Sequence, residues 1–211
     1  MAPDPSAIRR EHITGLVLAG GRGDRMGGLD KGLQTHAGQA LVAHAIARLA
    51  PQVGRLIVNA NRNLDAYARF GWPVCSDDTP DQPGPLAGFM AGLRACDTPW
   101  LVTVPCDSPA LPLDLVARLS AAAHEQRASV VLAAAPDDSG VLRPQPVFCL
   151  MHRSVLPSLL AFTAAGEAKV GWWARQQGAV QLAFDDPQAF VNINTLAELD
   201  TLPAPSSPRA P

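Results

Sequence analysis

The sequence has no excess of basic residues, no paired cysteines and no long apolar segment, and each of these absences argues against a class of protein. Its 17 basic and 19 acidic residues give a net charge of −2, without the basic excess typical of a general nucleic-acid binder. The four cysteines form no CxxC pair and the five histidines are scattered, which disfavours a zinc site. The polar, proline-containing N-terminus, Met1–His12, lacks the apolar core of a signal peptide, and no apolar run approaches the length of a membrane span. We therefore expect a cytoplasmic protein that binds neither nucleic acid nor membrane.

One of the only two lysines lies in a glycine-rich segment, Leu18–Lys31, directly after the apolar run Ile13–Leu18. The segment contains five glycines and three cationic side chains, Arg22, Arg25 and Lys31. Glycines allow the backbone to approach a polyanion, and exposed N–H groups in such a loop bind phosphate oxygens. The spacing matches neither GxxxxGK[ST] nor GxGxxG. We expect a nucleotide phosphate site of another type at the end of a strand.

Strand-like and helix-like segments alternate along the chain, which predicts an α/β fold. The expected architecture is a Rossmann-like three-layer sandwich with a mostly parallel sheet. We expect one domain at 11–202 and disordered tails at 1–10 and 203–211, which are rich in Pro, Ser and Ala. Strands are predicted at 13–18, 55–59, 100–104, 129–134, 147–151 and 180–184. Helices are predicted at 41–50, 85–96, 112–125, 155–165 and from Thr195, where a capping box begins.

Ligands of parallel sheets bind beyond the carboxyl ends of the strands. The loops of interest therefore follow Leu18, Asn59, Val104 and Met151. Asp107 lies in the third of these loops, and a carboxylate there suits Mg²⁺, which takes few ligands from protein. The same aspartate, placed before Ser108 and Pro109, could instead cap the next helix.

Each of the other polar residues near strand ends has two interpretations, a role in ligand binding and a role in local structure. Asp77 could contact a base or ribose, or serve turn geometry in an acidic, proline-rich connection. Asn59 offers both a donor and an acceptor for base recognition, but asparagine also favours turns. Asn192 and Asn194 fall on one face of an extended segment, where they could bind a ligand or cap the helix predicted at Thr195.

Together these segments resemble the molybdenum cofactor guanylyltransferases, a family of the larger nucleotidyltransferase group. The resemblance extends from about Ile13 to Leu202. The motifs that carry it, in their expected order, are Leu18–Lys31, Val58–Arg62, Pro83–Gly88, Pro105–Asp107 and Val191–Thr195.

The resemblance implies roles for particular residues. Catalytic roles fall to Lys31, Arg25 and Asp107, and Asp107 would also hold Mg²⁺. Asn192 and Asn194 would lie on the side of the pterin substrate. The residues implied to bind the nucleotide are Leu18, Ala19, Gly20, Gly21, Lys31, Asn59, Asp77 and Asp107.

The implied reaction transfers GMP from GTP to molybdenum-loaded molybdopterin and releases pyrophosphate. The attacking phosphate oxygen is already ionised, so positioning and charge neutralisation would suffice without a strong general base. Expected partners are GTP, molybdopterin, molybdopterin-handling proteins and target molybdoenzymes.

Three alternatives remain: a cytidylyltransferase acting on the same cofactor, a sugar-phosphate nucleotidyltransferase, and a non-catalytic nucleotide-binding module. The spacing of Gly27, Gly28, Asp30 and Lys31 favours the guanylyl branch, and no Pro-Lys-Pro follows the loop. The presence of both Lys31 and Asp107 argues against a non-catalytic module.

Overall fold

The computed structural model describes residues 7–21, 29–78, 84–193 and 198. Its strands are β1 (Ile13–Leu18), β2 (Thr35–His36), β3 (Gln39–Ala40), β4 (Arg55–Asn59), β5 (Val74–Cys75), β6 (Trp100–Pro105), β7 (Val130–Pro136), β8 (Leu142–His152) and β9 (Val180–Ala183). Its α-helices are α1 (Leu41–Leu49), α2 (Leu64–Ala68), α3 (Pro85–Ala95), α4 (Leu115–Glu125), α5 (Leu156–Ala164) and α6 (Val170–Gln176).

Seven strands form one sheet in the order β5-β4-β1-β6-β8-β7-β9, and β2 pairs with β3 in a separate hairpin. The pairs β4–β5, β1–β4, β1–β6 and β7–β9 are parallel, whereas β8 runs antiparallel to both of its neighbours. The prediction of a mostly parallel α/β sheet is therefore confirmed.

Helices cover both faces of the sheet, which explains why the central strands are almost uniformly apolar. On one face, Val17 of β1 packs in a cluster with α1 and α4; on the other, Leu16 packs with α3, α5 and α6. Adjacent residues of one strand thus point into opposite cores. The result is the predicted three-layer sandwich.

The prediction that the loop after Met151 lies at the ligand-binding edge is wrong. Because β8 is antiparallel to β6, His152 pairs with Trp100 at the opposite, amino end of β6. Strand direction is not encoded in the local apolar pattern. The strand is also longer than the predicted 147–151, since its first half contains two prolines and resembles a loop in sequence.

The structure adds α2, α6, β5 and the β2–β3 hairpin, all short elements, to those predicted. Residues 7–10, placed in the N-terminal tail by composition, pack against the domain: Ile8 contacts the core and Arg10 Nη1 lies 3.1 Å from the oxygen of Pro51. The helix predicted from Thr195 falls outside the described residues. Within the described ranges, no helix has both the length and the apolarity to traverse a bilayer.

Candidate nucleotide-binding site

The carboxyl ends of β1, β4 and β6 meet at one edge of the sheet. Leu18 is paired with Asn59 on one side and with Pro105 on the other. Beyond the paired strands, Ala19 N donates to the oxygen of Asn59 at 2.8 Å, and Cys106 N donates to that of Leu18 at 3.0 Å. The segments that follow the three strands are therefore held side by side.

Lys31 and Asp107 form an ion pair at this edge, between Lys31 Nζ and Asp107 Oδ2. Their side chains are 20% and 13% exposed, respectively. The second carboxylate oxygen, Asp107 Oδ1, is buried and has no hydrogen-bond partner among the residues that the structure describes. A buried acceptor without a partner is costly, so this oxygen has the character of a ligand atom.

The thiol next to Asp107 has no nucleophilic character. Cys106 is fully buried, and burial together with the negative charge of Asp107 raises the pKa of its thiol well above the usual value. The sulfur therefore stays protonated at neutral pH.

Asn59, Asn61 and Asp77 form a second cluster at the same edge. Asn59 Nδ2 donates to Asp77 Oδ1 at 2.9 Å, and Asn61 Nδ2 donates to Asp77 Oδ2 at 2.7 Å. Asn61 Oδ1 accepts from Asp77 N at 2.9 Å, which closes the cluster. A Cβ at Gly88 would lie 2.7 Å from Asn59 Oδ1 and 2.5 Å from Leu18 Cδ2, so α3 can approach this cluster only with glycine there.

Asp30, the residue before Lys31, is buried and well supplied with donors. Tyr67 Oη donates to Asp30 Oδ1 at 2.5 Å, and Asn63 Nδ2 donates to Asp30 Oδ2 at 2.9 Å. Arg62 Nε lies 3.7 Å from Asp30 Oδ2. Burial, with the nearby charge and hydrogen bond of Asp30 as further causes, strongly raises the pKa of Tyr67, which therefore remains a neutral donor.

A segment from much later in the chain also reaches the site. Ser108 Oγ donates to Asn192 Oδ1 at 2.6 Å, and Ile193 N donates to the oxygen of Asp107 at 3.0 Å. Ile193 itself is buried against Leu41. The 191–193 segment thus lies beside the Asp107 loop.

Most residues expected from the sequence come together, whereas Arg22, Arg25 and Asn194 lie outside the described residues. The residues brought to this edge are Leu18, Ala19, Gly20, Gly21, Lys31, Asn59, Asp77, Asp107 and Asn192. Asn63, Tyr67 and Ser108 also contribute, although no sequence motif assigns them a role. Tyr67 had one available signal: it is the only tyrosine and lies shortly after the Val58–Arg62 motif.

The donors present suit a cation that takes few ligands from the protein. In the described part of the chain, no group of three or more His, Cys, Asp or Glu side chains could hold a metal ion. Mg²⁺ needs no such group, because it usually keeps several waters and binds one or two carboxylates plus phosphates. Asp107 Oδ1 meets that description.

Comparison with known proteins agrees with this arrangement. The model of the MobA-like NTP transferase domain matches residues 15–180. A molybdenum cofactor guanylyltransferase of Bordetella petrii is 55% identical over 93% of this chain and 100% of its own length. Another of that name, from Cupriavidus necator, is 54% identical over 92% of this chain and 98% of its own length.

A solved structure shares the fold. The molybdopterin-guanine dinucleotide biosynthesis protein A of Archaeoglobus fulgidus superposes with a TM-score of 0.71 at 21% identity, over 89% of this chain and 95% of that one. The matched family model and the two relatives show that the chain is a nucleotidyltransferase, and the fold agrees with that class. Within that class, the chain belongs to the MobA-like NTP transferase family. Nucleotidyltransferases of this kind generally use a divalent metal ion.

Proposed function

We propose that this protein transfers GMP from GTP to molybdenum-loaded molybdopterin, forming the molybdopterin guanine dinucleotide cofactor and releasing pyrophosphate. The observation that carries the proposal is the Lys31–Asp107 pair at the carboxyl edge of the sheet, in which the buried Asp107 Oδ1 has no hydrogen-bond partner within the described part of the chain. Relatives that match almost their whole length with this chain carry the name of that activity.

Lys31 and Asp107 have complementary parts in this reaction. Asp107 would hold Mg²⁺, which when bound supplies positive charge to the phosphates. Lys31 would exchange its contact with Asp107 for the phosphates of GTP and stabilise the charge that develops during transfer. Arg25, assigned from the sequence, would add to that neutralisation. The attacking phosphate is already ionised, so the site needs no proton acceptor.

The nucleoside would lie toward the Asn59–Asp77 cluster. The backbone of Leu18, Ala19, Gly20 and Gly21 would line the GTP site, with Asn59 and Asp77 holding the nucleoside. The hydrogen bonds among Asn59, Asn61 and Asp77 support this role because they fix the side chains before a ligand binds.

Molybdopterin would approach from the opposite side of Asp107, near Asn192 and Asn194. The bond between Ser108 and Asn192 supports this placement, since it keeps Asn192 next to the Asp107 loop. The small-molecule partners are thus GTP and molybdopterin. Molybdopterin-handling proteins and target molybdoenzymes would be protein partners, and the reaction would take place in the cytoplasm.

Nucleotide choice and turnover test the proposal directly. Purified protein would be incubated with Mg²⁺, molybdenum-loaded molybdopterin and either GTP or CTP, and both pyrophosphate and the dinucleotide product would be measured. Turnover with GTP is expected, and it should stop when the metal is chelated. Preference for CTP would indicate a cytidylyltransferase, and nucleotide binding without pyrophosphate release would indicate a non-catalytic module.

A further inference from the structure

Tyr67 contacts both residues that flank Lys31. Its hydroxyl donates to Asp30 Oδ1 at 2.5 Å, and a Cβ added to Gly32 would lie 2.5 Å from the same hydroxyl oxygen. The tyrosine is completely buried. The backbone on both sides of Lys31 therefore packs against the Tyr67 hydroxyl.

The backbone around Lys31 forms a tight 3₁₀ turn over Lys31–Leu33. Leu33 N donates to the oxygen of Asp30 at 3.2 Å, and Gln34 N donates to that of Lys31 at 3.1 Å. Gln34 Nε2 adds a 2.9 Å bond to the oxygen of Asp30. Because these bonds tie the turn to Asp30, anything that fixes Asp30 also fixes the point from which the Lys31 side chain extends.

The same short region, Arg62–Tyr67, holds the chain on both sides of the glycine-rich segment. Arg62 Nη2 lies 3.0 Å from the oxygen of Leu29 and 3.4 Å from that of Gly21. Asn63, which has a positive φ of 52°, directs its amide to Asp30 Oδ2. Arg62 and Asn63, which directly precede α2, therefore hold the glycine-rich segment at Gly21 and at Leu29–Asp30.

We infer that Tyr67 is a positioning residue for Lys31, acting through its hydrogen bond to Asp30 and its contact with Gly32. The inference rests on the proposed role of Lys31 in GMP transfer. A phenylalanine ring would fill the same space in the core, so the hydroxyl marks a requirement beyond packing. The hydroxyl stays protonated, and therefore remains a donor, throughout any physiological pH range.

A double-mutant cycle between Tyr67→Phe and Lys31→Ala tests this inference. The rate of GMP transfer would be measured in single turnover for the wild type, both single variants and the double variant. Tyr67→Phe is expected to lower the rate about tenfold, less than the ~10²-fold that a displacement of 1 Å can cost. In the Lys31→Ala background it should cause no further loss, because the group it positions is absent. GTP affinity should change far less than the rate.

Hydrogen exchange supplies a readout that does not depend on turnover. Tyr67→Phe should accelerate exchange of the Leu33 and Gln34 amides, which close the turn. The matched control is Thr14→Val, which also removes one buried hydroxyl but lies toward the other end of β1, where Thr14 bonds Thr98 at 2.8 Å. This control should leave both the rate and the exchange of the 31–34 turn unchanged.

Each other outcome has a definite meaning. Equal slowing by Tyr67→Phe in the presence and absence of Lys31, or no slowing at all, would overturn the inference. If Lys31→Ala itself has no effect, the proposed role of Lys31 fails, and unchanged exchange in Tyr67→Phe would then overturn the positioning as well. Should Tyr67→Phe not fold, Asn63→Gly removes another donor to Asp30 while tolerating the positive φ, and the same cycle applies.

Discussion

Two aspartates next to Lys31, Asp30 and Asp107, differ in how the protein completes their hydrogen bonds. Asp30 is 6% exposed and receives donors from Tyr67 and Asn63. Asp107 is 13% exposed; its Oδ2 pairs with Lys31, whereas its Oδ1 is buried and finds no hydrogen-bond partner in residues 7–21, 29–78, 84–193 and 198. The two carboxylates lie close to the same lysine and differ in their hydrogen bonding.

The difference in hydrogen bonding distinguishes a carboxylate that stabilises the fold from one that is available to a ligand. A buried carboxylate whose oxygens are supplied by the protein stabilises the native structure and has little left to offer a ligand. A buried carboxylate with a bare oxygen costs stability, which a bound cation would recover. By this reasoning we expect Asp30 to support the structure of the site and Asp107 to contact the metal ion and substrates of the proposed reaction.

Replacement of Asp107 has the largest expected effect on activity. We expect Asp107→Ala to lower GMP transfer by about 10³-fold or more, because the variant loses several kcal/mol of transition-state stabilisation by metal. Its melting temperature should remain near that of the wild type. Asp97→Ala is the control, since Asp97 forms an exposed ion pair with Arg55. Near-normal activity of Asp107→Ala at moderate Mg²⁺ would contradict the assignment.

Replacement of Lys31 ranks second. Lys31→Ala should slow transfer by roughly 10²-fold, the loss seen when one preorganised charge-stabilising donor is removed. Rate and GTP affinity would be measured together. Lys169→Ala is the matched control, because Lys169 is the only other lysine of the sequence. If Lys31→Ala retained both rate and affinity, Lys31 would be no more than a surface charge.

Replacement of Asp30 should reverse the pattern of Asp107. Asp30→Ala leaves the buried Tyr67 Oη without its acceptor, at a cost of about 1–3 kcal/mol for a buried unsatisfied group, whereas the exposed Asn63 Nδ2 can turn to water. The free energy of unfolding, from denaturant titration, should fall more in Asp30→Ala than in Asp107→Ala. Equal stability of the two variants would remove the distinction drawn between the carboxylates.

The free energy of unfolding should depend on Tyr67 at alkaline pH. Its pKa is raised by burial from a usual value of 10.0, so above about pH 10 the unfolded chain loses a proton that the native state keeps. Stability should therefore fall with rising pH there, by about 1.4 kcal/mol per unit from this group. Tyr67→Phe should lack that contribution. Because the chain has one tyrosine, tyrosinate absorbance reports this group alone and should appear only on unfolding.

The smallest expected effect concerns the pterin side. Replacing both Asn192 and Asn194 with Ala should weaken molybdopterin use, by about 0.5–1.5 kcal/mol for each hydrogen bond, while GTP binding survives. Affinities for both ligands and the melting temperature would be measured on one variant. Equal loss for both ligands, accompanied by a lower melting temperature, would indicate that these asparagines only support the fold.

The sequence predicted the central strands well and the supports of the site poorly. The bounds of β1 and β4 agree with prediction because each is a short apolar run whose two faces are both buried. The five-residue α2 carries too little periodicity to be recognised, and its contact through Tyr67 with Asp30 joins positions far apart in the chain. Asp107 could be located from its place after a strand. The burial of its Oδ1 could not, because it depends on three-dimensional packing.

The bond from Ile193 N to the oxygen of Asp107 also has a consequence for the order of assembly. The glycine-rich segment, the Asn59 cluster and Asp107 all leave the ribosome well before residue 193 is synthesised. Chains generally begin folding from the N-terminal side as they emerge. A nascent chain can therefore form the sheet edge early, but the Asp107 loop gains its contact with Ile193 N only when synthesis has passed Ile193, so a partly made chain presents an incomplete site.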